Sequence, residues 1–262
     1  MQLFLLSVKS YHDVTPHMRR IRFVSDALIG KPEMFTPGIH VKILLPREGQ
    51  ARPVLPTIEN GRPTYKPTDI HPVVRTYTVR ACNSQTGELD IDFVLHGDEG
   101  PASAWAERVQ AGDVIGIAVR PVKPLPQADW YLFAGDHTAL PAISSFLEQL
   151  HGTAKGYAFI EVPDATEQQA FTHPENITVT WLHRNNHKAG TANLLHKAIQ
   201  QIEIPSTGTR YVWLAAESTE TKAMRTFIVE NTTVQPAELH AVGYWRLGVD
   251  EDVYHDMRHR GE

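Results

Sequence analysis

Cysteine is almost missing from this chain of 262 residues, with Cys82 the single example. One thiol excludes an internal disulfide framework and any iron–sulfur or zinc centre built on several thiolates. Cys82 is read as a small packed hydrophobe. Long apolar runs are missing too. No uninterrupted apolar segment approaches membrane-spanning length, and Met1-Gln-Leu-Phe-Leu-Leu-Ser-Val-Lys9 has neither a basic lead nor a small-residue cleavage site. A soluble, cytoplasmic protein without a membrane partner is expected. No Ser-His-Asp set, Cys-His pair, P-loop or paired carboxylates stand out, so no side chain is singled out as a nucleophile or acid–base catalyst. His183 and His187 follow a strand, where a spacing of four does not bring both to one face, and His255 and His259 lack a placed third ligand; no metal site is expected.

Charge of either sign is modest, with a net of -5. It is unevenly spread. Residues 1–126 carry 15 Lys and Arg against 13 Asp and Glu, whereas residues 127–262 carry 10 against 17. Nothing in that balance supports a nucleic-acid partner, but a mildly basic first half suits an anionic cofactor and an anionic substrate. Hydrophobic residues make up 42% of the chain, enough for a large core, and the length favours two domains.

The first half reads as short strands at Gln2 to Ser10, Met18 to Val24, His40 to Leu45, Val74 to Arg80, Glu88 to Leu95 and Val114 to Val119, with a helix from about Ser103 to Val109. Six such strands suggest a closed antiparallel barrel, which leaves no exposed sheet edge. Pro46 to Pro72 breaks the rhythm as a proline-rich loop excursion. The second half alternates. Strands at Trp130 to Ala134, Gly156 to Val162, Thr178 to Leu182, Tyr211 to Ala216 and Glu238 to Val242 are interleaved with helices at Ala139 to Leu150, Ala192 to Gln201 and Thr219 to Glu230. That pattern implies a parallel, Rossmann-like sheet covered by helices on both faces. The boundary falls near Pro121 to Gln127, giving domains 1–124 and 125–262, the second with a C-terminal extension.

One segment carries more chemistry than the rest. His71-Pro-Val-Val-Arg-Thr-Tyr-Thr-Val-Arg80 offers a cation, a flat ring and a small hydroxyl at Arg75, Tyr77 and Thr78, which suit a flavin ring and its ribityl chain. Gly100-Pro-Ala-Ser103 opens a helix with small residues, where unpaired backbone N–H groups and the helix dipole favour a pyrophosphate. An ordinary half-buried strand also fits the first run taken alone.

Four motifs in order, Arg75-Thr-Tyr-Thr-Val-Arg80, His96-Gly97 with Gly100-Pro-Ala-Ser103, Gly135-Asp-His-Thr-Ala-Leu-Pro-Ala-Ile143 and Gly243-Tyr-Trp-Arg-Leu-Gly248, resemble the siderophore-interacting flavoprotein family, whose architecture is similar to that of ferredoxin-NADP reductases. The resemblance covers nearly the whole chain. It implies a β-barrel plus α/β fold that is ferredoxin reductase-like, with FAD on Arg75, Tyr77, Thr78, Val79, Arg80, His96, Gly100, Ala102 and Ser103 and, across the second domain, Asp136, Thr138 and Ala139. A second reading stands for Asp136, as the cap of the following helix, and for His96, as a histidine satisfied by local backbone. His137 departs from the glutamate common in the family.

For substrate, the resemblance implies a ferric siderophore of catecholate type held by Lys42 and Arg246, with Arg120 or Lys123 as a third cation; a solvated surface residue is the competing reading of each. The expected activity is FAD-dependent ferric-siderophore reduction, with NADH or NADPH as donor, or ferredoxin. Glu161 suits an adenosine ribose, whereas Arg184 and Lys188 suit a 2′-phosphate, so the preferred nucleotide stays open. Other outputs remain: a reductase with a protein or quinone acceptor, or a non-enzymatic siderophore carrier. No feature demands more than a monomer.

Overall fold

The computed structural model describes the chain apart from residues 32–37, 98–99, 121–123 and 261–262, and leaves aside the side chains at 255, 256 and 258–260. Two compact units divide it, Met1–Pro124 and Leu125–Glu262.

In unit 1 the strands are β1 (Gln2–Thr15), β2 (Met18–Val24), β3 (His40–Leu45), β4 (Thr57–Glu59), β5 (Arg62–Thr64), β6 (Val73–Asn83), β7 (Glu88–Val94) and β8 (Val114–Val119), with one helix, α1 (Pro101–Arg108). Six of the strands close a barrel in the order β1-β2-β7-β6-β3-β8, and every pairing in it is antiparallel. Alternation along each strand sends Leu6, Ile21, Phe23, Val41, Ile43, Ile91, Phe93, Ile115 and Ile117 inward to one core. Outside the barrel, Arg20 and Arg22 each grip the carboxylate directly opposite, on Asp92 and Asp90, through two hydrogen bonds of 2.7–2.8 Å. Both aspartates are buried, so these forks satisfy charge that would otherwise be costly to desolvate.

β1 runs five residues beyond the expected end because it bends through two register shifts while still pairing with β2. The Pro46 to Pro72 excursion is built rather than plain loop. β4 and β5 form a hairpin around Asn60-Gly61, both with positive φ (51° and 76°), as a two-residue hairpin turn requires. Ahead of it, Pro53 and Leu55 lie against Gly116 of β8 on the barrel wall.

Unit 2 holds β9 (Trp130–Gly135), α2 (Leu140–Leu147), β10 (Lys155–Val162), β11 (Ile177–His183), α3 (Leu194–Ile199), β12 (Arg210–Glu217), α4 (Ser218–Asn231), β13 (Leu239–Trp245) and α5 (Glu251–Arg260). The five strands are all parallel, in the order β11-β10-β9-β12-β13. Both faces are covered. Trp130, Leu132, Ala134, Val212 and Leu214 pack with Leu195, Ile199, Met224 and Ile228 of α3 and α4. The alternate residues Phe133 and Trp213 meet Phe146 of α2, with ring centroids 5.8 and 5.2 Å apart. α3 is shorter than its apolar pattern predicts, because Asn193 adopts a left-handed φ of 53° and helix geometry starts only after it. None of the described helices is long and apolar enough to cross a membrane.

Two tests follow from this packing. A methyl on Gly135 would lie 2.5 Å from the Ala139 Cβ and 2.7 Å from the Ala215 carbonyl oxygen. Gly135→Ala is expected to destabilise the protein by about 1–3 kcal/mol through overpacking, read as a lowered thermal midpoint; an unchanged midpoint contradicts the close approach of strand and helix. Burial first, then the nearby Asp90 charge, pushes the Cys82 thiol up to about 12. A thiol reagent at neutral pH should therefore label Cys82 far more slowly in the folded protein than after denaturation, and equal rates would show that the site is open.

Candidate functional site

β3 and β6 pair in a register that sorts the chemistry by face. Ile43 lies opposite Arg75 and Val41 opposite Tyr77, whereas Lys42 lies opposite Thr76 and His40 opposite Thr78. Arg75, Tyr77 and Val79 therefore share one face, and Thr76, Thr78 and Lys42 share the other. The Arg75 guanidinium is buried, and its Nη1 donates to the Val74 carbonyl at 2.8 Å. Tyr77 is half-buried, its ring 4.4 Å from that of Phe93, which in turn lies 5.8 Å from Trp105 of α1. This aromatic row ties β6 through β7 to the helix. Val79 belongs to the barrel core, and its N–H donates to the Ile39 carbonyl, so neither its side chain nor its amide is presented to a ligand. Thr78 is buried, Arg80 is half-buried, and the Lys42 ammonium donates to the Thr76 hydroxyl at 2.6 Å.

The turn into α1 is fixed from within. The His96 N–H donates to the Ser103 hydroxyl at 2.9 Å, and the Gly97 N–H donates to the Glu107 carboxylate at 3.0 Å. Gly100 stands at the N-cap with extended backbone and no side-chain cap, followed by Pro101 and a buried Ala102. Among the described residues the helix thus begins with backbone amides that no cap side chain serves, beside residues too small to block an anion. Ser103 spends its hydroxyl oxygen on the turn rather than at the helix mouth, and the His96 ring is exposed. Arg120 is exposed just past β8; Lys123 lies outside the described residues.

In unit 2 several buried carboxylates collect at the carboxyl ends of the strands. Asp136 follows β9. Its Oδ1 accepts from the Thr138 N–H at 2.9 Å and from the Thr138 hydroxyl at 2.5 Å, and its Oδ2 accepts from the Trp245 indole N–H at 2.7 Å. The carboxylate thus orders the turn ahead of α2 rather than capping the helix, whose N-cap is Ala139 with no side-chain cap, and it reaches across the sheet as well. Ala139 is fully buried at the N-cap of α2. His137 is buried with its Nε2 3.4 Å from Oε2 of a fully buried Glu167. Glu161 ends β10 buried, its Oε1 4.0 Å from Arg184 Nη1. So Glu161 and Arg184, opposed as nucleotide signals in the sequence, are partners in the fold. Glu220 accepts from the Leu195 and His196 N–H groups at the start of α3. Arg246 lies just beyond β13, half-buried, with Nη1 4.0 Å from the Met257 sulfur.

Four functional-edge residues escaped the sequence reading: Glu167, Glu217, Glu220 and Trp245. Trp245 lies inside a motif singled out for its arginine. Glu167 and Glu220 gave no signal, since their partners are distant in the chain, whereas Glu217 caps α4 locally, a role that glutamate rarely signals at that position.

Burial, then the charges of Glu220 and Asp136, push the Glu161 carboxyl up to about 7, with Arg184 opposing them. A folded pKa raised above the ordinary 4.5 means the folded state holds a proton that the unfolded chain has released, so stability falls as pH rises through that window. Glu161→Gln is expected to raise the thermal midpoint at about pH 8 and to change it little at about pH 4; the same shift at both values would contradict the assignment.

The comparisons fall on both units. Residues 7–123 match the siderophore-interacting FAD-binding domain and residues 128–248 match the siderophore-interacting protein family. Ferric vibriobactin reductase ViuB of Vibrio cholerae is 35% identical over 253 residues, covering 94% of this chain and 90% of that one. The crystal structure of the siderophore-interacting protein SipS from Aeromonas hydrophila superposes with a TM-score of 0.86 at 35% identity, over 99% of this chain and 98% of that one. Ferredoxin-NADP+ reductase from Plasmodium falciparum, at 11% identity and a TM-score of 0.66 over 93% and 97% of the two chains, shares the fold. The chain belongs to the siderophore-interacting protein family, with a FAD-binding barrel and a ferredoxin reductase-like architecture.

Proposed function

We propose that the protein is an FAD-dependent oxidoreductase that reduces iron(III) in a ferric siderophore and releases it as iron(II). The observation that carries this reading is the amino end of α1, where the N-cap is Gly100, which has no side chain, followed by Pro101 and the small Ala102, in the same unit as the strand bearing Arg75, Tyr77 and Thr78. These residues fit the cofactor. α1 would take the pyrophosphate on backbone amides, Arg75 would add a guanidinium for phosphate, Tyr77 a flat apolar face, and Thr78 a hydroxyl or amide near the ring. When bound, FAD supplies the step between a two-electron donor and a one-electron acceptor. The protein's work is to hold it, to exclude competing acceptors and to bring a charged substrate near.

A ferric tricatecholate is trianionic, and Lys42 and Arg246 are the cations assigned to it, with Arg120 as an additional one. Reduction releases the metal because hard oxygen donors hold iron(II) less strongly. NADH or NADPH is the proposed donor, supported by the open parallel sheet whose switch point lies between β9 and β12; ferredoxin is the alternative donor to assay.

The test is spectroscopic. Protein reduced without oxygen and mixed with a ferric tricatecholate and a ferrous chelator should show flavin reoxidation coupled to appearance of the ferrous complex. Flavin that stays reduced would move the function to another acceptor. Arg246→Ala should bind the ferric complex about tenfold or more weakly with flavin retained, the scale of losing one charge-assisted contact; unchanged binding would remove Arg246 from the site.

A further inference from the structure

Neighbouring strands β9 and β12 are where the strand order of unit 2 reverses, and their carboxyl ends present Asp136 and Glu217. A register shift stands next to them. Ala216 lies opposite Gly243 but Glu217 lies opposite Trp245, so Tyr244 is an extra residue on β13. Bulges of this kind re-aim the side chains that follow. Here the Trp245 indole reaches past β12 to Asp136 Oδ2 at 2.7 Å, and two residues on the Leu247 N–H donates to Glu217 Oε1 at 3.2 Å. Packing closes around the pair, since a methyl on Gly190 would lie 2.8 Å from Glu217 Cγ and 3.1 Å from Trp245 Cη2.

Both carboxylates are buried, and each is anchored from its far side. Asp136 is held by the Thr138 N–H and hydroxyl, and Glu217 by the Thr219 and Glu220 N–H groups at the amino end of α4. Those donors and, for Glu217, the helix dipole offset part of the carboxylate charge, and the remainder still reaches Glu161 and Glu220. Arg246 sits between the two pinned residues, and among the described residues it has no carboxylate partner.

We propose that Asp136 and Glu217 are positioning residues for Arg246, fixing the backbone on both sides so that its guanidinium is presented to an anionic ferric siderophore. The inference rests on Arg246 as a substrate contact. A cation's attraction falls with distance and with hydration, so a guanidinium released from this strap loses affinity without losing its charge.

Trp245→Phe tests it in the FAD-loaded protein, because it removes the indole donor and keeps a ring. Binding of a ferric tricatecholate, followed by flavin fluorescence, should weaken about tenfold, as for loss of one hydrogen bond to a carboxylate, with flavin content unchanged. In the Arg246→Ala background the same substitution should cost nothing further, since its effect passes through Arg246. Parent-like binding by Trp245→Phe, or a loss that adds to that of Arg246→Ala, overturns the proposal. Should Arg246→Ala itself bind normally, the substrate assignment fails instead.

Discussion

Burial of both faces of the parallel sheet governs where unit 2 can place polar groups. Each central strand sends alternate residues to α2 on one side and to α3 and α4 on the other, so neither face tolerates a charge without a partner. Charge is left to the strand ends, with Arg210 paired to Glu238 at the amino edge and a group of carboxylates at the carboxyl edge, where strands end and helices begin. Asp136, Glu161 and Glu217 all stand there, with Glu220 one turn into α4. The amino ends of α3 and α4 supply donors for Glu220 and Glu217, which is why several carboxylates coexist within a buried region. Burial still raises Glu220, with the α3 N–H groups opposing it, and Glu161, whose Oε2 has no hydrogen-bond partner, is pushed up to about 7.

The barrel solves a related problem differently. Its inner face is mostly apolar, and the buried carboxylates on its wall, Asp90 and Asp92, are matched one to one by arginines on the next strand. Closure removes edges and so fixes register for every strand at once. That register places Arg75 and Tyr77 together on one face, and the Tyr77–Phe93–Trp105 row carries the same strand's position to α1. The strand proposed to hold the flavin and the helix proposed to take its pyrophosphate therefore belong to one packed unit rather than to two independent loops.

Much of this architecture was legible in the residues. Period-two alternation gave the barrel strands, and buried runs alternating with helical patterns gave the parallel sheet. The hairpin at Asn60-Gly61 could also have been read, since that dipeptide between extended residues is a strong turn signal; the many prolines around it drew the reading toward loop. Asn193 hid the true start of α3 because a left-handed asparagine resembles any other polar residue in a periodic stretch. Cys82 as a packed side chain followed from its solitude in the sequence and agrees with its raised pKa.

The sequence by itself determined the order of elements, the division into a barrel and a parallel sheet, and the family, because these depend on local periodicity and on short contiguous motifs. Tertiary structure alone decided which polar groups meet. Glu161 with Arg184, His137 with Glu167, and Trp245 with Asp136 are pairs brought together by strand order and crossover direction. A hydrogen bond between residues 109 apart leaves no trace in spacing, since its geometry exists only once β12 has been laid between β9 and β13.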